Sequence, residues 1–391
     1  RFGAPQVNRQ WSMRAFLFVL FALLPAACRQ ASEPAGAQDQ SQGNTYTTYA
    51  SGFRVSEEPG YKKVTVSNPW QYSRNVSFSY VLSPRDAPPP DSLDHLPWIA
   101  TPVERVVALS TTHVAMIGQL GQASSLVGLS GSDFIYSPAI RERINSGQTK
   151  DVGYGQALDY ESIVGLDPDL LFIYGVEGHV VATLEKLTEL GVPVVFCGEY
   201  LESHPLGKAD WIKFFSLFFD QEGKADTFFQ HIDSSYTQLA KLASRAEGRP
   251  RVLTGLPWKD TWHMAGGKSF AARLIEDAGA DYLWSDNSST QAIPLDLESV
   301  YLRAVDADVW INPGAAVSLE DIGRLDERFL DLRVVRQGQV FNNNLRTNAA
   351  GGNDYWESGT VRPDLVLADL IRVFHPDLMA DHRLVYYRQL K

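Results

Sequence analysis

Residues 158–175 read LDYESIVGLDPDLLFIYG, and residues 295–314 read LDLESVYLRAVDADVWINPG. Each stretch opens on Leu-Asp-x-Glu-Ser, runs through a short helical pattern and ends in an apolar run of buried-strand type. In both, the Asp can cap a helix N-terminus while the Glu occupies the first turn, beside the positive end of the helix dipole. The surroundings repeat too. AMIGQLG (115–121) precedes the first copy and RLIEDAG (273–279) precedes the second, in the same order. A repeat this long is domain-sized, whereas a solenoid would show a period of roughly 20–50 residues.

Working outward, short strand patterns alternate with helical ones in each half. RVVALS (105–110), SLVGLSG (125–131), DLLFIYG (169–175) and VPVVFCG (192–198) read as strands. Between them, THVAMIGQLG (112–121) and VVATLEKLTELG (180–191) read as helices ending at Gly. The order returns after residue 250 with strands RVLTGL (251–256), DVWINPG (308–314) and QVFNNN (339–344), helix SFAARLIEDAG (269–279) and closing helix RPDLVLADLIRVF (362–374). This alternation predicts parallel sheets covered by helices. The expected fold is α/β: two Rossmann-like lobes, residues 45–207 and 247–391, the first carrying leading β-strands.

Residues 208–246 join them. Trp211, Phe214, Phe215, Phe218, Phe228, Ile232, Tyr236, Leu239 and Leu242 recur at helical spacing, with Gly223 read as the interruption. A helix of ~24 residues spans ~36 Å, so one stiff helix is expected to link the lobes and to limit hinge motion. In residues 45–98, KKVTVSNPW and NVSFSYVLS alternate in the manner of antiparallel strands, and PRDAPPPDSL reads as a stiff surface loop.

The N-terminal region reads as a processing signal. Met13-Arg14 precedes the apolar run AFLFVLFALL, and PAAC ends at Cys28. A basic start, an apolar run and small residues before a Cys make a secretory signal. The run is too short for a membrane-spanning helix, which needs ~20 apolar residues. LPAAC resembles the bacterial lipobox, which makes Cys28 the lipidated residue of a signal over 13–28; Pro25 departs from that pattern. Residues 29–44 read as a flexible tether, and residues 1–12 as upstream sequence.

The composition narrows the class. The chain has 391 residues, a net charge of −11 and a pI near 5.2, with no basic cluster, so nucleic acid is not an expected partner. Two Cys exclude a disulfide framework and a zinc-type Cys pair. The eight His are scattered, which disfavours a His cage for zinc or manganese. AGGKS (265–269) lacks the early Gly of a phosphate loop, because Trp262 stands there.

The segments RVVALSTTHVAMIGQLG, VGYGQALDYESIVGLDPDLLFIYG, LGVPVVF, AGGKSFAARLIEDAGADYLW and LDLESV…DADVWINPG resemble the class III substrate-binding proteins of ABC importers, the iron-siderophore, haem and cobalamin type. The resemblance covers roughly residues 103–390. It implies a ligand cleft between two lobes, no enzyme activity, and delivery of ligand to an ABC permease with its cytoplasmic ATPase. It also implies that a surface glutamate on each lobe, Glu161 and Glu298, pairs with permease arginines; capping of the helix start is an equally sufficient reason for both motifs.

Ligands of α/β sheets sit at the carboxyl ends of the strands. This nominates Thr112, His113, Phe134, Tyr136, Tyr154, Tyr174, Glu199 and Tyr200 in the first lobe. In the second it nominates Trp258, Trp262, Asn343, Arg346, Tyr355 and Trp356. Planar ligands favour aromatic walls with a few polar anchors, and Arg346 could pair with an anionic group. The expectation is a monomeric, lipid-anchored receptor, periplasmic or at the cell surface, for a ferric siderophore. It would have no cofactor and no metal site of its own, its ligand being a metal chelate. Cobalamin or haem is the alternative within this fold, and an enzyme on a two-lobed scaffold the alternative from another class.

Overall fold

A computed structural model describes residues 46–175 and 180–391. The lipobox Cys28, the signal over 13–28 and the whole tether over 29–44 lie outside them. The leading strands β1 (Phe53–Glu58), β2 (Tyr61–Ser67), β3 (Ser77–Pro84) and β4 (Trp98–Thr101) form one sheet in chain order, antiparallel except for the β3–β4 pair.

This sheet is fastened to the rest of the molecule by buried carboxylates. Asp210 accepts the backbone amides of Thr48, Tyr49 and Ala50 at 2.8–3.1 Å, and Lys213 neutralises it at 2.9 Å. Glu202 accepts the amides of Ser51 and Gly52 and the Trp211 indole. Behind these bonds Phe53 packs on Trp211 and Phe214, while Trp70 and Phe78 pack on Phe196. Polar groups buried together in this way avoid the ~1–3 kcal/mol cost of each unsatisfied one.

The first lobe is a parallel sheet of β5 (Val106–Ala108), β6 (Leu126–Leu129), β7 (Lys150–Asp151), β8 (Leu170–Tyr174) and β9 (Val194–Cys197), ordered β7-β6-β5-β8-β9. The second lobe contains β10 (Arg251–Thr254), β11 (Thr261–Met264), β12 (Asp281–Tyr282), β13 (Ile293–Asp296), β14 (Val309–Ile311), β15 (Val340–Asn342) and β16 (Arg388–Gln389). Its main sheet is ordered β12-β10-β14-β15-β16, with only β16 antiparallel, and β11–β13 is a separate antiparallel pair. The expected two α/β lobes are therefore present.

The linker differs in detail. Helices Pro205–Asp210 and Ile212–Ser216 lead into one 22-residue helix, Glu222–Ala243, about 33 Å long at the α-helical rise. The interruption falls between Ser216 and Glu222, where Asp220 takes φ +54°, and not at Gly223. Gly223 lies exposed in the first turn of the long helix. Trp211, Phe214, Phe215 and Phe218 are fully buried, and Phe229, rather than the half-buried Phe228, faces the core.

Both Leu-Asp-x-Glu-Ser motifs start helices. Asp159 accepts the Ser162 amide at 2.9 Å ahead of helix Tyr160–Gly165, and Asp296 accepts the Ser299 amide at 2.8 Å ahead of helix Leu297–Ala304. In each, the Ser hydroxyl returns a second bond to the same Asp, which gives the motif's final Ser its purpose. Side-chain and backbone bonds from these serines hold both Asp carboxyls below the usual range. AGGKS is a close-packing turn. A Cβ on Gly266 would lie 2.3 Å from the Ser289 carbonyl, and one on Gly267 2.3 Å from that of Asn287. Ser269 then caps helix Phe270–Asp277.

Candidate ligand cleft

The carboxyl ends of β5, β6, β7 and β8 open onto one cavity system. A cavity of about 560 Å³ is lined by Leu109, Ser130, Tyr154, Leu158, Tyr160, Ile173, Tyr174 and Thr183, among others. A second, of about 250 Å³, shares Leu109, Ser130, Tyr154 and Tyr174 and adds Phe134. Its other wall comes from the second lobe, from the loop after β15: Gly351, Gly352, Asn353 and Trp356. The two cavities thus form a cleft between the lobes.

Three large aromatics stand around it with roughly half their surface uncovered: Phe134 (46%), Tyr154 (57%) and Trp356 (57%). Apolar area left open to that extent and gathered at one place marks a binding surface. Phe134 and Tyr154 meet edge to face at 5.8 Å. Among the described lining residues none carries a formal charge.

The mouth is held by contacts between the lobes. The Glu357 carboxylate accepts the amides of Tyr136 (2.6 Å) and Ser137 (3.0 Å), and Asn348 donates to the carbonyls of Asp133 and Ile135. Gly352 comes so near that a Cβ would lie 2.5 Å from the Phe134 carbonyl. Arg346 pairs with Asp354 at 3.0 Å and lies over the rings of Tyr136 and Tyr386. It is a strut across the lobe contact and lines neither cavity.

Of the fourteen residues nominated from sequence, the structure gathers Phe134, Tyr154, Tyr174 and Trp356 at the cleft. Trp262 lies in the second-lobe core against Trp310 and Phe329, its indole bonded to the Thr254 carbonyl. Tyr355 is buried against Tyr386 and Tyr387, and Asn343 is buried with its amide bonded to Asn342. Trp258 is 66% exposed beneath Lys259 on the β10–β11 connection and lines neither cavity. Tyr136 belongs to the lobe contact. Tyr200 donates to the Gly175 carbonyl, and burial pushes its phenol up to about 12. Ser130, Leu158, Tyr160 and Thr183 were not legible as lining. They are ordinary strand-end and helix residues, and only the packing of neighbouring strands aims them inward.

Thr112, His113 and Glu199 lie together below the cleft floor. Thr112 donates to Glu199 at 2.6 Å, and His113 Nε2 is 3.5 Å from the same carboxylate. Burial would raise the Glu199 carboxyl, but His113 and Thr112 outweigh it and hold it below the usual range. Cys197 stands beside them, its thiol pushed well up by burial.

Residues 106–342 match the periplasmic binding protein family. An uncharacterized lipoprotein of Methanocaldococcus jannaschii is 25% identical over 326 residues, covering 79% of this chain and 76% of that protein. Among solved structures, the periplasmic vitamin B12-binding protein of Vibrio cholerae superposes with a TM-score of 0.51 at 18% identity, covering 70% of this chain and 96% of that one. An Fe³⁺-hydroxamate transport-system protein of Saccharomonospora viridis gives 0.52 at 18% identity, covering 70% and 94%. No described helix is long and apolar enough to cross a membrane. With more than half of its length matched, the chain belongs to the periplasmic binding protein family, whose members bind solutes and are not enzymes.

Proposed function

We propose that the chain is the extracytoplasmic solute receptor of an ABC importer, anchored through lipidated Cys28, and that its solute is a ferric siderophore. The observation that carries the solute reading is the lining of the interlobe cleft, aromatic and, among the described residues, uncharged. Burying a charged chelate against such walls would cost several kcal/mol. A ferric trihydroxamate is neutral, since three hydroxamate charges cancel Fe³⁺, and it presents an apolar shell to aromatic rings. The likeness to the hydroxamate transport protein supports the same choice. The likeness to the vitamin B12-binding protein supports a corrin as the second reading.

Delivery to a permease rests on Glu161 and Glu298, exposed in the first turn of matching helices. The anchor rests on the PAAC motif at Cys28 and on the lipoprotein relative.

The test is the absorption spectrum and mass of solute that co-purifies with the chain. A ferric hydroxamate gives a broad visible charge-transfer band, and a corrin or porphyrin its own sharp bands. Recovery of a sugar, amino acid or peptide instead would overturn the reading. A Cys28→Ser chain should move to the soluble fraction and lose lipid labelling; labelling that persists would sink the anchor.

A further inference from the structure

We propose that His113, Cys197 and Glu199 form a buried site for a divalent transition-metal cation of the zinc type, separate from the solute cleft. One donor atom from each, an imidazole nitrogen, the thiol sulfur and a carboxylate oxygen, lies within 4.8 Å of the others. All three side chains are essentially sealed from solvent, at 0%, 0% and 2% exposure. The rings of Phe172, Tyr174 and Phe215 wall His113 at 5.5–6.2 Å.

The second observation is unmet bonding. His113 Nδ1 and Glu199 Oε2 have no hydrogen-bond partner, and His113 Nε2 reaches only a long 3.5 Å approach to Glu199 Oε1. A buried imidazole held so loosely is rare, because buried polar atoms are almost always satisfied. Each idle atom costs ~1–3 kcal/mol. A cation placed among the three donors takes up one imidazole nitrogen and one carboxylate oxygen and removes that cost at both.

Charge and donor type fit the same ion. A thiolate, a carboxylate and a neutral imidazole around M²⁺ sum to zero, so the loaded site buries no net charge. Sulfur, nitrogen and oxygen together suit zinc. Its bond lengths of 2.0–2.3 Å require donors roughly 3.3–3.6 Å apart, so the three must draw in by about an ångström. Glu199 can do so, because it begins the short turn Glu199–Leu201 rather than lying within β9. On binding, the Cys197 S–H bond breaks, the sulfur keeps the electron pair and bonds the metal, and one proton leaves to solvent. The start of helix Thr111–Gln119 faces Glu199, which accepts the Thr112 hydroxyl of its first turn, and favours a negative donor there. Neither cavity of the cleft is lined by these three residues, so solute binding and metal binding are read apart.

The test uses the full chain carrying Cys28→Ser, which leaves Cys197 as its single thiol. Co²⁺ alone is supplied to the native chain, and also during refolding, because a sealed site exchanges slowly. The expected result is one tightly held Co²⁺ per chain, a thiolate-to-cobalt band in the near ultraviolet, tetrahedral visible bands and displacement by Zn²⁺. Adding Cys197→Ser should abolish the thiolate band and weaken binding by more than the ~10–100-fold that outer-shell changes cost. Failure to retain Co²⁺ under either regime would overturn the proposal, as would Co²⁺ held without a thiolate band. The second readout needs no variant to fold. Quenching of Trp fluorescence by solute should persist in either outcome.

Discussion

Glu357 joins the lobes with one side chain, 2% exposed, whose two oxygens accept adjacent amides from the opposite lobe. Burial pushes its carboxyl up while the amide bonds oppose the shift. In Glu357→Gln the side chain keeps its length, but an NH₂ group must face an amide N–H. One charge-assisted bond is lost, at a cost of about 1.5–3 kcal/mol. Urea unfolding should report that loss, and an unchanged midpoint would show that the lobe contact is held elsewhere. Sequence alone did not single out Glu357, which looks like any Glu between Trp356 and a helix start. Its role depends on two amides more than two hundred residues earlier in the chain. His113 and Glu199 were nominated as cleft residues for their strand-end positions, yet both turn inward beneath the floor. Strand-end position is visible in the pattern; the direction a side chain takes there is not.

At the scale of elements, the paired Leu-Asp-x-Glu-Ser helices separate two roles that sequence left joined. Asp159 and Asp296 do the capping, so Glu161 and Glu298 are free of it. The two glutamates are not equivalent. Glu298 already pairs with Arg328 at 2.9 Å, whereas among the described ion pairs Glu161 has none. Reversing both to Lys should leave folding and solute affinity nearly unchanged while uptake in cells collapses, with Glu161→Lys the more damaging single change. Loss of fold in the double variant would return both residues to a purely structural role. The caps have their own pH signature. Their folded pKa values are depressed, so their stabilisation is complete above the unfolded carboxylate value of about 3.9 and fades as pH falls through the lower folded values. Asp296→Asn, which keeps a capping oxygen, should hold the melting temperature at neutral pH and flatten its acid decline. An unchanged acid decline would place that dependence elsewhere.

For the whole molecule, periodicity carried the reading far. The two lobes, the alternation of strands and helices along each half and the long linking helix follow from apolar spacing and Gly stops, since those patterns report burial directly. Strands of two residues, β7, β12 and β16, leave too short a pattern to be read. The Gly223 break was misplaced because glycine's cost of ~1 kcal/mol applies to a helix interior, and Gly223 stands exposed in the first turn. What the leading sheet does became clear only from Asp210 and Glu202, whose bonds bind residues 48–52 to the linker region. That bracing, the Glu357 clamp and one 22-residue helix predict lobes that move little on binding, and small-angle scattering should show a nearly constant radius of gyration.

The central claim is that the aromatic interlobe cleft binds the solute, and titration of a neutral ferric trihydroxamate against intrinsic Trp fluorescence tests it most directly. The account predicts saturable one-site quenching, with Trp356→Phe losing most of the signal. Tyr154→Ala should weaken binding by about 2–4 kcal/mol if the ring is a hot spot, while Trp258→Ala, at a residue that lines neither cavity, should leave affinity unchanged. Undiminished affinity in both Tyr154→Ala and Trp356→Ala would contradict it.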